Sequence, residues 1–269
     1  MSTPEVVYLH LDTHGVTAEL FLNGFPLVRS TWLPEGNAEL CAHPFLVPGE
    51  NEIVLRIEPG SRPALAATES RVLAREGASA VAQLVRYPVG TDVLPENGTV
   101  LGKIAWTASS AGSEVFPIEQ RGQVYVGAAY GRWSWQDAPV LTLDESLLAE
   151  ARAVIEAYGH ALCYGTTAEL ASLMRISLAD QARAFPDWPV DEQDKMLDRL
   201  VAYYHKAPEP RFSLDPERHD FRLVASGRVL QCVDDDFKGS LRLRDPDGGR
   251  DVRMPICLAR IDGVLRPVR

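Results

Sequence analysis

Residues 18–57 read AELFLNGFPLVRSTWLPEGNAELCAHPFLVPGENEIVLRI, and the fold of the first half of the chain is written in their turns. Asn23-Gly24 stands between two apolar runs. A two-residue hairpin needs positive φ at both central positions, which Asn and Gly tolerate best. Pro48-Gly49-Glu50-Asn51 supplies a second turn, and Ile53, Leu55 and Ile57 then alternate with Val54 and Arg56. That period of two is the mark of a strand with a buried face. The stretch predicts antiparallel strands joined by tight turns, an architecture that names no chemistry.

The same pattern continues outward. Val7, Leu9 and Leu11 alternate with Tyr8 and His10; Val81, Val85 and Tyr87 alternate with Ala82, Leu84 and Arg86; Val100, Ile104 and Trp106 share a face, as do Val124 and Val126. Gly and Pro punctuate these runs at short spacing, which favours a β-sandwich over a βαβ fold. Asn97-Gly98-Thr99 fits a glycosylation acceptor but reads better as a turn. After Ala138-Pro139 the period changes to that of a helix. Thr142 and Glu145 fit a capping box, and Leu147, Leu148, Ala151, Val154, Ile155, Tyr158 and Leu162 form one stripe. Gly165 ends that helix, and Thr166 with Glu169 caps the next. A third helix is predicted from Pro189, with Leu197, Leu200, Val201 and Tyr204 on its apolar face. From Arg218 the period returns to two: Phe221 and Leu223, Val229 to Val233, Leu241 and Leu243, then Val252, Met254, Ile256 and Leu258 on one long strand, with a last hairpin at Asp262-Gly263. The prediction is a two-domain chain, an all-β sandwich over 1–140 followed by an α+β domain over 141–269.

Two family resemblances attach to these residues. The Leu22-Asn23-Gly24 strand end, the Pro44-Phe45 strand and the Pro48-Gly49-Glu50-Asn51 turn leading into Ile53–Ile57 resemble the galactose-binding-like jelly roll. That family binds sugars or partners, or braces a neighbouring domain. The helix from Ala151 to Leu162, the Gly165-Thr-Thr-Ala-Glu-Leu start of the next helix and the closing strands at Asp262-Gly-Val-Leu-Arg resemble the NTF2-like family, a cystatin-like α+β cone. The resemblance implies a curved antiparallel sheet wrapped around a long helix with an open-ended pocket, used by enzymes, small-molecule binders and dimerisation modules alike.

Composition narrows the function classes. The 269 residues are 46% hydrophobic and 24% charged, as in a globular protein. No window approaches the ~18 apolar residues of a membrane-spanning helix, and the N-terminus lacks a secretory pattern, so a cytoplasmic protein is expected. The net charge of −10 divides as −6 over residues 1–143, −5 over 144–206 and +1 over 207–269, a poor match to nucleic acid or anionic lipid. Cys41, Cys163, Cys232 and Cys257 are widely spaced with no C-x-x-C, and no metal or cofactor is expected. Cys41 and His43 share i, i+2 register with no second pair to complete a site, and Asp234-Asp235-Asp236 lacks the spacing of a calcium loop and reads as a solvated connection.

For NTF2-like enzymes the resemblance implies acid–base groups inside the cone. That makes Tyr158 on the first helix, His205 at the end of the third and Asp220 at the opening of the first strand the catalytic candidates. His160 falls off the apolar stripe and reads as a solvated residue near a helix C-terminus. His219 and Asp220 are adjacent on a strand, so their side chains diverge. No matched nucleophile, base and orienting group can be assembled. The binding candidates are Trp32, Trp133 and Trp135. On a strand the last two indoles would share a face, either stacking on a sugar or anchoring a partner, or, as the favoured alternative, packing between the domains. The expectation is a non-catalytic binding or interaction protein with a small-molecule or partner pocket in the C-terminal domain. The alternatives are an NTF2-like isomerase, dehydratase or hydrolase and an inhibitor or immunity-type protein; homodimerisation through the C-terminal sheet is a further expectation.

Overall fold

A computed structural model describes residues 5–30, 35–58, 77–109, 114–127, 132–185, 190–214, 219–234 and 239–268. Two compact units emerge, Met1–Gly131 and Arg132–Arg269. The first contains β1 (Glu5–His14), β2 (Thr17–Leu22), β3 (Phe25–Arg29), β4 (Glu35–Cys41), β5 (Gly49–Glu58), β6 (Ser79–Pro88), β7 (Thr99–Thr107) and β8 (Ile118–Val126). They form two four-stranded sheets, β4-β1-β6-β7 and β3-β2-β5-β8, with every pairing antiparallel. Alternation works as read: Val7, Leu9 and Leu11 of β1, Leu20 and Leu22 of β2, and Leu55 and Ile57 of β5 are fully buried. The sheets meet closely where β7 passes β8. A Cβ placed on Gly102 would lie 2.2 Å from Val124 Cγ2, so glycine is needed there.

The two turns of the opening stretch are locked to each other. Asn23 and Gly24 take φ of 53° and 75°, the I′ geometry, and Leu22 pairs with Phe25 across the turn. Asn23 Nδ2 donates to Asn51 Oδ1 at 2.9 Å, and Glu52 N–H donates to Asn23 Oδ1 at 3.0 Å. Asn51 is fully buried; its Oδ1 accepts from Val47 N–H at 2.8 Å and its Nδ2 donates to Val47 O at 2.9 Å. A buried amide is tolerated because its hydrogen-bonding capacity is used. Downstream, His43 lies in a 3-10 turn, His43–Phe45, beyond the end of β4, so it does not share a strand face with Cys41 as the spacing suggested.

The second unit runs α1 (Glu145–Cys163), α2 (Thr167–Ala184), α3 (Val190–Tyr204), β9 (Phe212–Ser213), β10 (His219–Val224), β11 (Val229–Asp234), β12 (Leu241–Leu243), β13 (Val252–Met254), β14 (Ile256–Ile261) and β15 (Val264–Pro267). Its antiparallel sheets are β10-β11-β14-β15 and β13-β12-β9. The apolar stripe of α1 is buried at Leu147, Ala151, Ile155, Tyr158 and Leu162, in one cluster with Leu197 and Val201 of α3 and Leu230, Leu241, Leu258 and Leu265 of the strands. Glu150 fastens α1 to the strands: Arg260 donates to its two carboxylate oxygens at 2.6 and 3.3 Å, and Leu265 N–H donates at 3.2 Å. Its pKa is pulled down, chiefly by Arg260.

Three expectations change in this unit. The cap of α1 is Asp144, whose carboxylate accepts from Leu147 N–H at 2.8 Å, rather than Thr142. The long strand of Val252 to Leu258 is two strands in different sheets. Pro255 separates them because it has no N–H to continue a ladder, so Met254 pairs with Leu241 while Ile256 pairs with Cys232. Trp133-Ser134-Trp135 lies at a 3-10 turn, Ser134–Asp137, not on a strand. The α2 capping box of Thr166 and Glu169 and the hairpin at Asp262 (φ 51°) and Gly263 (φ 77°) form as read. Pro189 and Asp235-Asp236 fall outside the described residues.

Candidate functional site: a groove along the exposed side of α1

Beside the buried stripe of α1 runs a second one, Ala153, Glu156, Ala157 and His160, at the three- and four-residue spacing that brings side chains onto one helix face. All four are exposed. Facing them are Phe212 and Ser213 of β9 and Leu214 just beyond it, and between helix and strand lies a groove of about 620 Å³. A Cβ on Gly159 would lie 2.7 Å from the Phe212 ring, so the close seat of that ring against α1 needs glycine here. The alanines add no bulk, leaving the opening to Glu156, His160 and Ser213 as its polar groups.

Tyr164 packs beside the groove residues His160 and Phe212. Its ring stands 5.5 Å from that of His160 and 6.0 Å from that of Phe212, centroid to centroid. The hydroxyl donates to Glu209 Oε2 at 2.6 Å and accepts from Arg211 N–H at 3.2 Å. The hydrogen bond to Glu209 raises the Tyr164 pKa and keeps the phenol protonated. Arg211 lies over the ring at 4.9 Å and donates to Cys163 O at 2.8 Å, satisfying a carbonyl at the α1 C-terminus.

The residues singled out from the sequence are placed as follows. Tyr158 is 5% exposed; its hydroxyl donates to Met174 Sδ at 3.5 Å, and burial, with Tyr204 adding to it, pushes its pKa up to about 12. A phenol in that setting holds its proton across the physiological range. His205 follows the last residue of α3 and is exposed; its backbone N–H donates to Val201 O at 3.0 Å. Asp220 sits on β10 opposite Val233. Trp32 lies outside the described residues.

Trp133 is 0% and Trp135 4% exposed, so neither presents its ring to solvent. Their turn is held by Asp180 of α2, whose side chain is fully buried. Asp180 Oδ2 accepts from Ser134 N–H at 3.1 Å and Oδ1 from the Ser134 hydroxyl at 2.8 Å, while Arg183 pairs with the same carboxylate and donates to Arg132 O at 2.7 Å. The groove residues Ala153, Ala157 and Phe212 were not singled out in the sequence. Their signal was there as a second helical stripe, with alanines four apart and Gly159 next to it, but small residues carry little hydrophobic weight.

In the first unit a second buried polar pair stands on the face of the β4-β1-β6-β7 sheet that carries Tyr8. Tyr87 is fully buried, and its hydroxyl lies 2.8 Å from Nε2 of His10, itself 7% exposed. Burial lowers the His10 pKa, outweighing the opposite pull of Glu39 across from it on β4 and Asp12 on its own strand; Gln83 faces it from β6. A lowered folded pKa means that His10 contributes stability above its ordinary value of 6.5, lost as the pH falls through the folded pKa. Urea unfolding at about pH 7.5 and about pH 5.5 should show wild type losing more stability than His10→Asn; an equal loss in both would remove His10 as the source. Tyr87→Phe should cost about 1–3 kcal/mol by leaving the buried imidazole nitrogen without its partner.

Among the described residues no group of three or more His, Cys, Asp or Glu side chains could hold a metal ion, and no helix is long and apolar enough to cross a membrane. No protein-family model matches the chain, and no curated protein and no solved structure matches it.

Proposed function

We propose that the chain is a non-catalytic binding protein whose ligand site is the α1–β9 groove. In this reading the β-sandwich expected over 1–140 is the unit Met1–Gly131, of the galactose-binding-like kind and serving as a brace or partner-binding module, and the domain expected over 141–269 is the unit Arg132–Arg269, an NTF2-like domain carrying the pocket. Two four-stranded antiparallel sheets in close approach support the first assignment, and three helices followed by antiparallel strands support the second. The observation that carries the functional reading is the groove itself. It is a shallow groove open to solvent, and its lining combines apolar surface with a few polar groups, the mixture that ligand sites use to hold and orient a small molecule.

The reading is tested by ligand-observed NMR screening of a small-molecule library against the full chain and against Ala157→Phe. The substituted side chain projects into the groove from an exposed helix position, so folding is unaffected and the melting temperature stays within about 2 °C. Hits that bind wild type should lose at least about tenfold in affinity on Ala157→Phe, because the ring occupies their volume. Hits bound equally by both proteins would place the binding surface elsewhere.

A further inference from the structure

We infer that the groove selects an organic ammonium ion carrying an apolar or aromatic group, with Glu156 receiving the charge; this rests on the groove being a ligand site. Charge balance within the second unit singles out Glu156. Most carboxylates near α1 are already engaged: Glu150 by Arg260, Glu169 by the backbone and hydroxyl of Thr166, and Glu209 by Tyr164 and Arg211. Glu156 has no hydrogen-bond or ion-pair partner among the described residues. The arginine one turn before it is turned away, with the Arg152 guanidinium over the Phe221 ring at 5.4 Å from its centroid. Glu156 is therefore an unpaired, exposed carboxylate at the edge of a partly apolar surface, and it gives that surface a preference for a cation over an anion.

His160, one turn beyond Glu156, is the third polar group of the groove, and in its neutral form the imidazole offers one acceptor and one donor. Glu156 brings acceptors only, and the Ser213 hydroxyl can accept alongside it, so an ammonium group with three N–H donors finds complementary partners. Ala153, Ala157, Phe212 and Leu214 offer the surface for an apolar body. The helices' segment, residues 144–206, carries a net charge of −5 and residues 207–269 carry +1, so the unit as a whole is negative and favours cations over anions. Two arginines lie near enough to matter. Arg211 is occupied by Glu209, the Tyr164 ring and Cys163 O, and Arg242 pairs with Ser213 in the β9–β12 register but does not line the groove.

The test is amide-resolved NMR titration of the full chain with three probes of matched shape: 2-phenylethylamine, 2-phenylethanol and 3-phenylpropionate. The amine should perturb the amides of Glu156, Ala157, His160 and Ser213 and bind about two- to fivefold tighter than the alcohol, with the acid weakest, in line with an ion pair to a solvent-exposed carboxylate. Glu156→Gln should bring the amine to the level of the alcohol and leave the alcohol unchanged. Ala153→Lys, which puts a cation in the groove from an exposed position, should reverse the order of amine and acid. Equal affinities for all three probes, or preference for the acid, would overturn the ammonium assignment while leaving the groove as a site. Failure of every probe to perturb groove amides would overturn the binding reading as well.

Discussion

Gly239→Ala should destabilise the second unit by about 3 kcal/mol or prevent its folding, a larger loss than adding a single methyl group usually brings. Gly239 bridges Val233 at the end of β11 and passes directly over the break between β13 and β14. A Cβ at this position would sit 2.0 Å from the Met254 carbonyl carbon and 2.3 Å from Pro255 N. Those are backbone atoms, so no rotamer change relieves the clash. The Met254–Pro255 segment is also where the chain leaves one sheet for the other, with Met254 paired to Leu241 and Ile256 to Cys232. Moving it disturbs two ladders at once. Urea unfolding followed by far-UV circular dichroism gives the measurement; a loss below about 1 kcal/mol would show that the close approach is not required.

Trp133→Ala should cost about 3–5 kcal/mol, the range for removing a large buried aromatic side chain. Trp133 is among the largest fully buried side chains of the chain, and its backbone N–H donates to Gln136 Oε1 at 2.8 Å. The turn that carries it cannot easily drift to fill the void. It is tied to α2 through Ser134 and Asp180, a carboxylate that is itself without solvent exposure. Trp133→Phe keeps part of the contact and should lose about half as much. If Trp133→Ala unfolded at the same urea concentration as wild type, the indole would be a surface group and could serve as a binding platform after all.

The parts of the fold that were legible in the sequence are those decided by local chemistry. Asn23-Gly24 and Asp262-Gly263 make tight hairpins because few other residues tolerate positive φ, and that preference survives any tertiary environment. The Thr166–Glu169 capping box is likewise complete within four residues. Where two local signals competed, the sequence could mislead. Thr142 with Glu145 has the spacing of a capping box, but the cap is the next-but-one residue, Asp144, whose carboxylate takes the Leu147 N–H. Pro255 interrupts an alternation of Val252, Met254, Ile256 and Leu258 that continues in register through it, so periodicity alone joined two strands that belong to different sheets.

The candidate site was less legible because it is built from what the sequence does not emphasise. Titratable residues drew attention to Tyr158, yet its hydroxyl is buried against Met174. Tryptophans drew attention to Trp133 and Trp135, yet a buried aspartate 46 residues from Ser134 holds their turn in the interior. The groove depends instead on Ala153, Ala157 and Gly159, whose contribution is the space they leave. Only the placement of Phe212 against Gly159 turns that space into a surface with two walls.

Crystallographic fragment screening of the full chain tests the central claim most directly, since it locates ligands without assuming their identity. The account predicts recurrent fragment density between Ala153, Glu156 and His160 on one side and Phe212 to Leu214 on the other, with amine-bearing fragments directed at Glu156. Fragments gathering on the first unit, or elsewhere on the second, with the groove left empty in crystals where it is open to solvent, would contradict it.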